Sequence, residues 1–275
     1  MHNRYRQGVP STRAYRLSSG ARSDIGPRRS DNQDSGYASD RLLLVADGVG
    51  GAPAGHLASS LVVESLVTGL EPLVQPNAGQ IRDEVIRANV ALARAGREDS
   101  DARGMATTVT GLVMTDDIGY LVHVGDSRAY RCRDGVFEQL TVDQSWVQML
   151  LDEGMLDPAD ASTHPMRNML MHSLSGALRD PEAVHITPID LQIGDRWLLA
   201  TDGLTSYLPR DVISSQVTSV SAPQELANIL VDLCWPHSLD NITVLIGDVI
   251  DSEAKQQSQF VGAVQGYELR RSRVS

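Results

Sequence analysis

Residues 42–51 read LLLVADGVGG, an apolar run that ends abruptly in a carboxylate and a glycine-rich turn. Short apolar runs bounded by turn residues are typical of buried strands, so Asp47 is expected at a strand end. Gly48 would let the backbone approach a ligand closely and offer its own carbonyl oxygen. Carboxylate and carbonyl oxygens are the ligands that Mg²⁺ and Mn²⁺ prefer. Taken alone, Asp47 and Gly48 favour an ordinary Asp-Gly turn at the end of a strand over a ligand site.

Two further carboxylates occupy comparable places in the sequence. Residues 195–203 read DRWLLATDG, a second apolar strand followed by Asp202 and a glycine, and Asp240 leads directly into the apolar run NITVLI. Three carboxylates gathered in one place would repel one another unless cations neutralised them. Two ions about 4 Å apart can share a carboxylate and activate a water for attack at phosphorus. The pattern therefore predicts a two-ion centre with oxygen ligands.

Composition sets limits on the class of protein. The chain has 275 residues, 41% of them hydrophobic, and a net charge of −11, which argues against non-specific binding to nucleic acid or to anionic membranes. Cys132 and Cys234 have no metal-type spacing and are expected as free thiols of a reducing compartment, although one disulfide stays open. No run approaches the roughly 18 apolar residues of a membrane span, and the N-terminus has no secretory pattern. We expect a soluble, cytoplasmic and monomeric protein.

The length of the chain allows one large domain or two small ones. Polar composition predicts a flexible N-terminal segment (1–16) and a flexible C-terminal tail (251–275). Helices are predicted at 55–70, 79–95, 144–154 and 223–235, and strands at 107–114, 120–124, 129–132, 136–140, 195–200 and 242–246. The strands from 107 to 140 form an antiparallel meander with Asp126 at a junction, where it would alone be interpreted as a turn residue. Residues 155–181 are rich in loop residues and methionine.

These motifs together resemble the PP2C-type (PPM) metal-dependent Ser/Thr protein phosphatases in their bacterial form. The resemblance extends over residues 17–250, and each short motif is weak while seven in the right order are specific. The matching pieces are SDxGxxRxxNQD from Ser23, VADGVGG from Val45, GMATT from Gly104, HVGDSRAY from His123, LTxD from Leu140, TDGL from Thr201 and DNITV from Asp240.

The resemblance implies an α+β fold, a four-layer α-β-β-α sandwich of two mainly antiparallel sheets with the metals in the cleft between them. Two Mn²⁺ or Mg²⁺ ions would occupy the main site. The implied ligands are Asp47 as the bridge between the ions, the Gly48 carbonyl, and Asp202 with Asp240 for the second ion. Asp126 would help to hold a weaker third ion. Residues 145–180 would form the flap, a subdomain thought to contribute to substrate selection.

Two further residues receive roles from the same resemblance. Arg29 matches the arginine that binds the substrate phosphate, a task for which a planar guanidinium is well suited. Asp34 would orient a metal-bound water. The implied reaction is direct hydrolysis of phosphoserine or phosphothreonine by a metal-bridged hydroxide, without a phosphoenzyme. The substrates would be phosphorylated proteins, including a bacterial Ser/Thr kinase and its targets.

Some positions depart from the family pattern. Val49 stands where eukaryotic members have a histidine proposed as general acid, and valine cannot donate a proton to the leaving group. Gln33, His56 and Gln144 replace a glutamate, a glutamate and a histidine that are frequent there. None of these changes removes a primary metal ligand, so they bear on pH dependence and metal affinity more than on activity.

Two other classes of function remain possible from sequence alone. The first is a catalytically weak module that binds phosphoproteins in the same cleft, and the second is a cation-binding protein without a substrate. The first is disfavoured by the retention of Asp47, Asp202, Asp240 and Arg29, and Arg29 in a phosphate-binding position also argues against the second.

Overall fold

The computed structural model describes residues 15–49, 54–116, 118–252 and 257–271. The strands within these ranges are β1 (Tyr15–Asp24), β2 (Asp34–Ala38), β3 (Leu42–Asp47), β4 (Val109–Met114), β5 (Ile118–Val124), β6 (Arg128–Arg133), β7 (Val136–Gln139), β8 (His185–Asp190), β9 (Arg196–Ala200), β10 (Ile242–Asp251) and β11 (Gln259–Gly262). The helices are α1 (Gly55–Leu70), α2 (Ala78–Glu98), α3 (Trp146–Asp152), α4 (Asp202–Thr205), α5 (Arg210–Ser219), α6 (Pro223–Cys234) and α7 (Ala263–Arg271).

The strands form two antiparallel sheets. The first sheet has the order β1-β10-β9-β6-β7, and the second has the order β11-β2-β3-β4-β5-β8. Helices α1 and α2 cover the outer face of the second sheet, while α5 and α6 cover the outer face of the first. This is the predicted four-layer α-β-β-α sandwich, and the fold expectation is confirmed.

Alternate residues of the central strands serve different cores, which explains their continuous apolar sequences. In β3, Leu42, Leu44 and Ala46 pack in the cluster under α1 and α2. Leu43 and Val45 point the other way, into the cluster between the sheets, which also contains Trp197 and Leu199 of β9. Because both faces are buried, the strand shows no polar alternation.

Most predicted elements are present with shifted ends. Helix α1 has the predicted bounds, α2 extends to Glu98, and the predicted helix 144–154 shortens to Trp146–Asp152. The predicted strand 107–114 begins only at Val109. Both cysteines are free and buried. Among the described residues, no helix is long and apolar enough to cross a membrane.

The C-terminal region differs from the flexible tail expected over residues 251–275. Strand β11 pairs with β2 at the edge of the second sheet, and α7 packs against α1. Val261 and Val264 are buried, and the ring of Phe260 lies 4.7 Å from that of Tyr37. These apolar contacts hold residues 259–264 against the second sheet. The segment was expected to be flexible because its average composition is polar. Residues 253–256 and 272–275, and the N-terminal residues 1–14, lie outside the described ranges.

Candidate active site

Strand register in the second sheet brings two carboxylates side by side. Asp34, the first residue of β2, pairs with Asp47, the last residue of β3. Asp47 is held by its neighbours because its amide donates to Thr108 Oγ1 at 3.0 Å and its carbonyl accepts from Thr108 N at 2.9 Å. Gly48 donates its amide to Gln33 O at 3.1 Å.

Register in the first sheet brings the other carboxylates to the same end of the sandwich. Ala200, the last residue of β9, pairs with Arg128 at the start of β6 and with Val244 near the start of β10. Asp202, Asp126 and Asp240 each lie two residues beyond or before these strand ends. Three carboxylates that are far apart in the sequence therefore meet at one end of these three neighbouring strands.

A close backbone contact brings Asp202 next to Asp240. The backbone of Gly203 lies so close to the loop before β10 that a Cβ at this position would be 1.7 Å from Asn241 O. Only glycine fits such an approach. From the sequence, Gly203 would be interpreted as a turn residue. In the structure a glycine is needed there because the loops that carry Asp202 and Asp240 are in backbone contact.

The electrostatics of the cluster are those of crowded carboxylates that are partly removed from water. Loss of solvent raises the pKa of Asp47, and the charges of Asp34 and Asp202 raise it further. Asp126 also has a raised pKa, from loss of solvent first and from Asp202 second. The same two causes, with Asp240 as the charged neighbour, raise the pKa of Asp202, which lies within hydrogen-bond reach of Asp47. A divalent cation would relieve this repulsion.

Asp34 lies beneath the cluster and has its own donors. Its Oδ2 accepts hydrogen bonds from Thr201 Oγ1 at 2.9 Å and from Thr243 Oγ1 at 2.8 Å. Burial raises the pKa of Asp34 to about 7, although the two threonine hydroxyls act in the opposite direction. The sequence motifs contain both threonines, in TDGL and DNITV, but their spacing gives no sign that they share one carboxylate.

Arg29 reaches the cluster from the loop before β2. Its Nη2 donates to Asp240 Oδ2 at 2.6 Å, while Asp240 Oδ1 accepts from Asn241 N at 2.8 Å. Partial burial lowers the pKa of Arg29, but the surrounding carboxylates outweigh this and raise it overall. The guanidinium therefore stays charged at the mouth of the acidic cleft.

The donor set fits a hard divalent cation, since it consists of carboxylate and backbone oxygens without thiolate or imidazole. Within the described ranges, however, no three carboxylate, imidazole or thiolate groups are grouped closely enough to ligate a single ion as they stand. The contact of Asp240 with Arg29 accounts for part of this spacing, because one carboxylate oxygen points at the guanidinium. Ligation would need rotation of these side chains.

A cavity of about 340 Å³ lies between the cluster and the segment after α3. Its walls include Asp126 and Asp202 from the cluster and Arg167 from that segment. Arg128 and Asp143 also line it, joined by two parallel hydrogen bonds of 2.8 and 2.7 Å. Asp143 is the last residue of the LTxD motif, but neither it nor Arg128 has a spacing that predicts this ion pair. Its partner follows Asp126 by two residues, and only the fold reveals their contact.

Asn241 is a further residue whose role could not be predicted from the sequence: its side-chain amide holds the loop that carries Arg29. Its Oδ1 accepts from Gln33 N at 2.8 Å, and its Nδ2 donates to Ile25 O at 2.8 Å and Asp31 O at 2.9 Å. One side chain thus holds both ends of the loop that carries Arg29. His56 is exposed, and the thiols of Cys132 and Cys234 are buried in the core under α5 and α6, where Cys234 Sγ lies 3.2 Å from Gly203 O.

Comparison with protein families gives one clear match. Residues 27–233 fit the model of the Protein phosphatase 2C family. The chain is 38% identical over 251 residues to the serine/threonine protein phosphatase PstP of Mycobacterium tuberculosis, covering 90% of this chain and 48% of that protein. It therefore spans about half the length of this relative. It is 29% identical over 245 residues to the protein phosphatase PhpP of Streptococcus pneumoniae, covering 84% and 97% of the two chains.

Solved structures give the same match in three dimensions. A crystal structure of the catalytic domain of PstP in complex with two manganese ions superposes with a TM-score of 0.78 at 35% identity, and the match covers 86% of this chain and all of that domain (100%).

Proposed function

Since the chain belongs to the PP2C-type family of Ser/Thr protein phosphatases, we propose that it hydrolyses phosphoserine and phosphothreonine in proteins, with two Mn²⁺ or Mg²⁺ ions as cofactors. The observation that carries the proposal is the gathering of Asp47, Asp202 and Asp240 at one end of the sandwich with Arg29 at their edge. The two manganese ions in the related PstP domain support the choice and number of ions.

The residues would divide the work by position. Asp47, Asp202, Asp240 and the Gly48 carbonyl would hold the main ions, and Asp126 with Asp202 a weaker third. When bound, such ions lower the pKa of a coordinated water and neutralise charge on the phosphate. Charge-assisted hydrogen bonds from Arg29 would bind and orient the phosphate oxygens.

Asp34 would hold the attacking water, because it is the carboxylate next to Asp47 and keeps one oxygen clear of its two threonine donors. Water would then attack phosphorus directly, opposite the serine or threonine oxygen, and release one proton to solvent. As that P–O bond breaks, the departing oxygen would take up a proton from water, because Val49 has none to donate. The buried places of Cys132 and Cys234 support a mechanism without a thiol nucleophile. Their free thiols also support a reducing, cytoplasmic setting.

The proposed partners are phosphorylated proteins, with a bacterial Ser/Thr kinase and its targets as the natural candidates. The net charge of −11 supports the exclusion of nucleic acid and anionic membranes as ligands. We propose a monomer as the working form, because the proposed site takes all its residues from one chain.

Phosphate release from phosphothreonine and phosphoserine peptides tests the activity. The purified chain should release phosphate with Mn²⁺ and stop in excess EDTA, and Arg29→Ala should lose most turnover while still binding the metal. Arg28→Ala, the neighbouring exposed arginine, is the matched control. Phosphopeptide binding without release in the presence of Mn²⁺ would favour the binding-module alternative. Unchanged hydrolysis by Arg29→Ala would contradict the proposed phosphate site.

A further inference from the structure

The GMATT motif at residues 104–108 contains two threonines that grip Asp47 by its backbone. Thr107 Oγ1 donates to Asp47 O at 2.8 Å, and Thr108 Oγ1 accepts from Asp47 N at 3.0 Å. Thr107 and Thr108 are 0% and 1% exposed, so water cannot replace either bond. Both polar backbone groups of the residue proposed to bridge the main ions are therefore fixed by hydroxyls from the chain leading into β4.

The same hydroxyl of Thr108 makes a second buried contact. Thr108 Oγ1 lies 2.9 Å from Ser127 Oγ, and Ser127 is 0% exposed. Since Thr108 Oγ1 accepts the Asp47 amide, its own proton is available to the serine oxygen. Ser127 directly follows Asp126, and its carbonyl is fixed by Thr110 Oγ1 at 2.8 Å. A continuous buried path thus runs from Asp47 through Thr108 and Ser127 to Asp126.

We infer that Thr108 and Ser127 are positioning residues of the cation centre: Thr108 fixes the main-site ligand Asp47, and its bond to Ser127 couples the main site to Asp126. This inference rests on the proposed metal centre and assigns a new role within it. Residues that orient metal ligands typically change metal affinity about 10- to 100-fold when they are altered. The fully buried position of the path makes such an effect expected here.

The inference separates the two residues by the site each one affects. Thr108→Val keeps the side-chain shape but removes both the acceptor of the Asp47 amide and the hydroxyl that contacts Ser127 Oγ, so it should weaken the main site and, through Ser127, the third site as well. Ser127→Ala keeps the hydrogen bond from Asp47 N to Thr108 Oγ1 and removes only the contact between Thr108 Oγ1 and the residue that follows Asp126. It should therefore weaken the third, lower-affinity site alone.

Isothermal titration of the full chain with MnCl₂ measures both classes of site without relying on activity. We expect Thr108→Val to weaken both classes, the tighter one at least tenfold, Thr108→Ser to restore both, and Ser127→Ala to weaken only the weaker class. Thr115→Val is the matched control, because Thr115 is also buried and its hydroxyl donates to Ile118 O at 2.8 Å just after β4, at the opposite end of that strand from Thr108. It should leave both classes as in the wild type.

Circular dichroism establishes that each variant is folded before titration. A folded Thr108→Val variant that binds Mn²⁺ as tightly as Thr115→Val would overturn the inference. If Thr108→Val fails to fold, Ser127→Ala tests the same coupling. Wild-type Mn²⁺ affinity at the weaker class of site in Ser127→Ala would overturn it. A wild-type chain that binds Mn²⁺ but releases no phosphate would contradict the proposed activity alone.

Discussion

Asp202 has both carboxylates and guanidinium groups among its charged neighbours, and the balance between burial and these charges determines what its removal should do. Its pKa is raised by loss of solvent and by Asp240, so the charged form is unfavourable in the fold without a cation. The ionised carboxylate therefore serves ligand binding at the expense of stability, a pattern expected of functional sites.

Asp202→Asn should abolish phosphate release, by at least about 100-fold, while the metal-free protein keeps or gains thermal stability. The amide cannot replace an anionic ligand, but it also removes one repelling charge. Phosphate release in Mn²⁺ and a thermal melt in EDTA measure the two effects. Asp211→Asn, an exposed carboxylate on α5, is the control and should alter neither. Retained turnover in Asp202→Asn would contradict its assignment as a ligand.

His123 offers a pH-dependent test that is independent of the acidic cluster. Burial lowers its pKa to about 4, and its ring nitrogens lie 3.0 Å from Thr110 Oγ1 and 3.0 Å from Val142 O. The unfolded chain, with an ordinary histidine pKa near 6.5, binds more protons than the folded one between these values. The contribution of His123 is thus fully present above pH 6.5 and is lost as the pH falls towards 4.

The free energy of unfolding in EDTA should fall by up to about 3 kcal/mol between pH 6.5 and 4 through this residue. Denaturant titrations at several pH values measure it, as the difference between wild type and His123→Gln. His172→Gln, which changes an exposed histidine, should keep the wild-type pH dependence. Parallel curves for wild type and His123→Gln would contradict a buried neutral histidine.

At the scale of elements, sequence patterns succeed where one face of an element is polar or where an apolar run is long. The period of α1 gives its bounds, and the apolar runs of β3, β9 and β10 identify the strands that carry Asp47, Asp202 and Asp240. Strand β8 has no such signal, because its residues are mostly exposed and it contains Pro188, as edge strands do. Strand β2 reads DSGYA, too short and polar for its burial to be predicted.

The β11–α7 segment provides a matched pair of glycines. Gly262 has φ +81°, and a Cβ there would lie 2.3 Å from Asp34 O, whereas Gly266 within α7 has nothing within 4 Å. Gly262→Ala should lower the free energy of unfolding by about 1–3 kcal/mol through backbone strain and the clash. Gly266→Ala should be neutral or raise it by up to about 1 kcal/mol, because alanine favours a helix.

Denaturant titration of the two alanine variants compares them directly. Equal stability of both variants would show that β11 and α7 do not hold the place described for them against β2. Gly262→Ala should in addition reduce phosphate release, since its clash falls on the backbone of Asp34.

At the scale of the whole molecule, the site exists only because two sheets end at the same place. Asp34 and Asp47 come from the second sheet, and Asp126, Asp202 and Asp240 from ends of the first. The motifs predict these acidic residues individually, and the family resemblance predicts their meeting. The partners that hold them, such as Asn241 for the Arg29 loop and Arg128 for Asp143, depend on contacts between distant segments and are invisible in local patterns.

Cation binding should stabilise the entire fold, because the carboxylates are crowded only in the folded chain. At a free Mn²⁺ concentration about 100 times the dissociation constant, the gain is about 2.7 kcal/mol for one site. Thermal melts with and without Mn²⁺ should show a higher melting temperature with the ion, and Asp240→Asn should lose most of the shift. An identical shift in Asp240→Asn would place the ion elsewhere.

The central claim is that carboxylates from both sheets form one cation centre, and anomalous X-ray scattering at the manganese edge tests it most directly. In crystals grown with MnCl₂, we predict two strong anomalous peaks between Asp47 and the pair Asp202 and Asp240. A map with no peak at these carboxylates, while the crystal binds manganese elsewhere, would contradict the account.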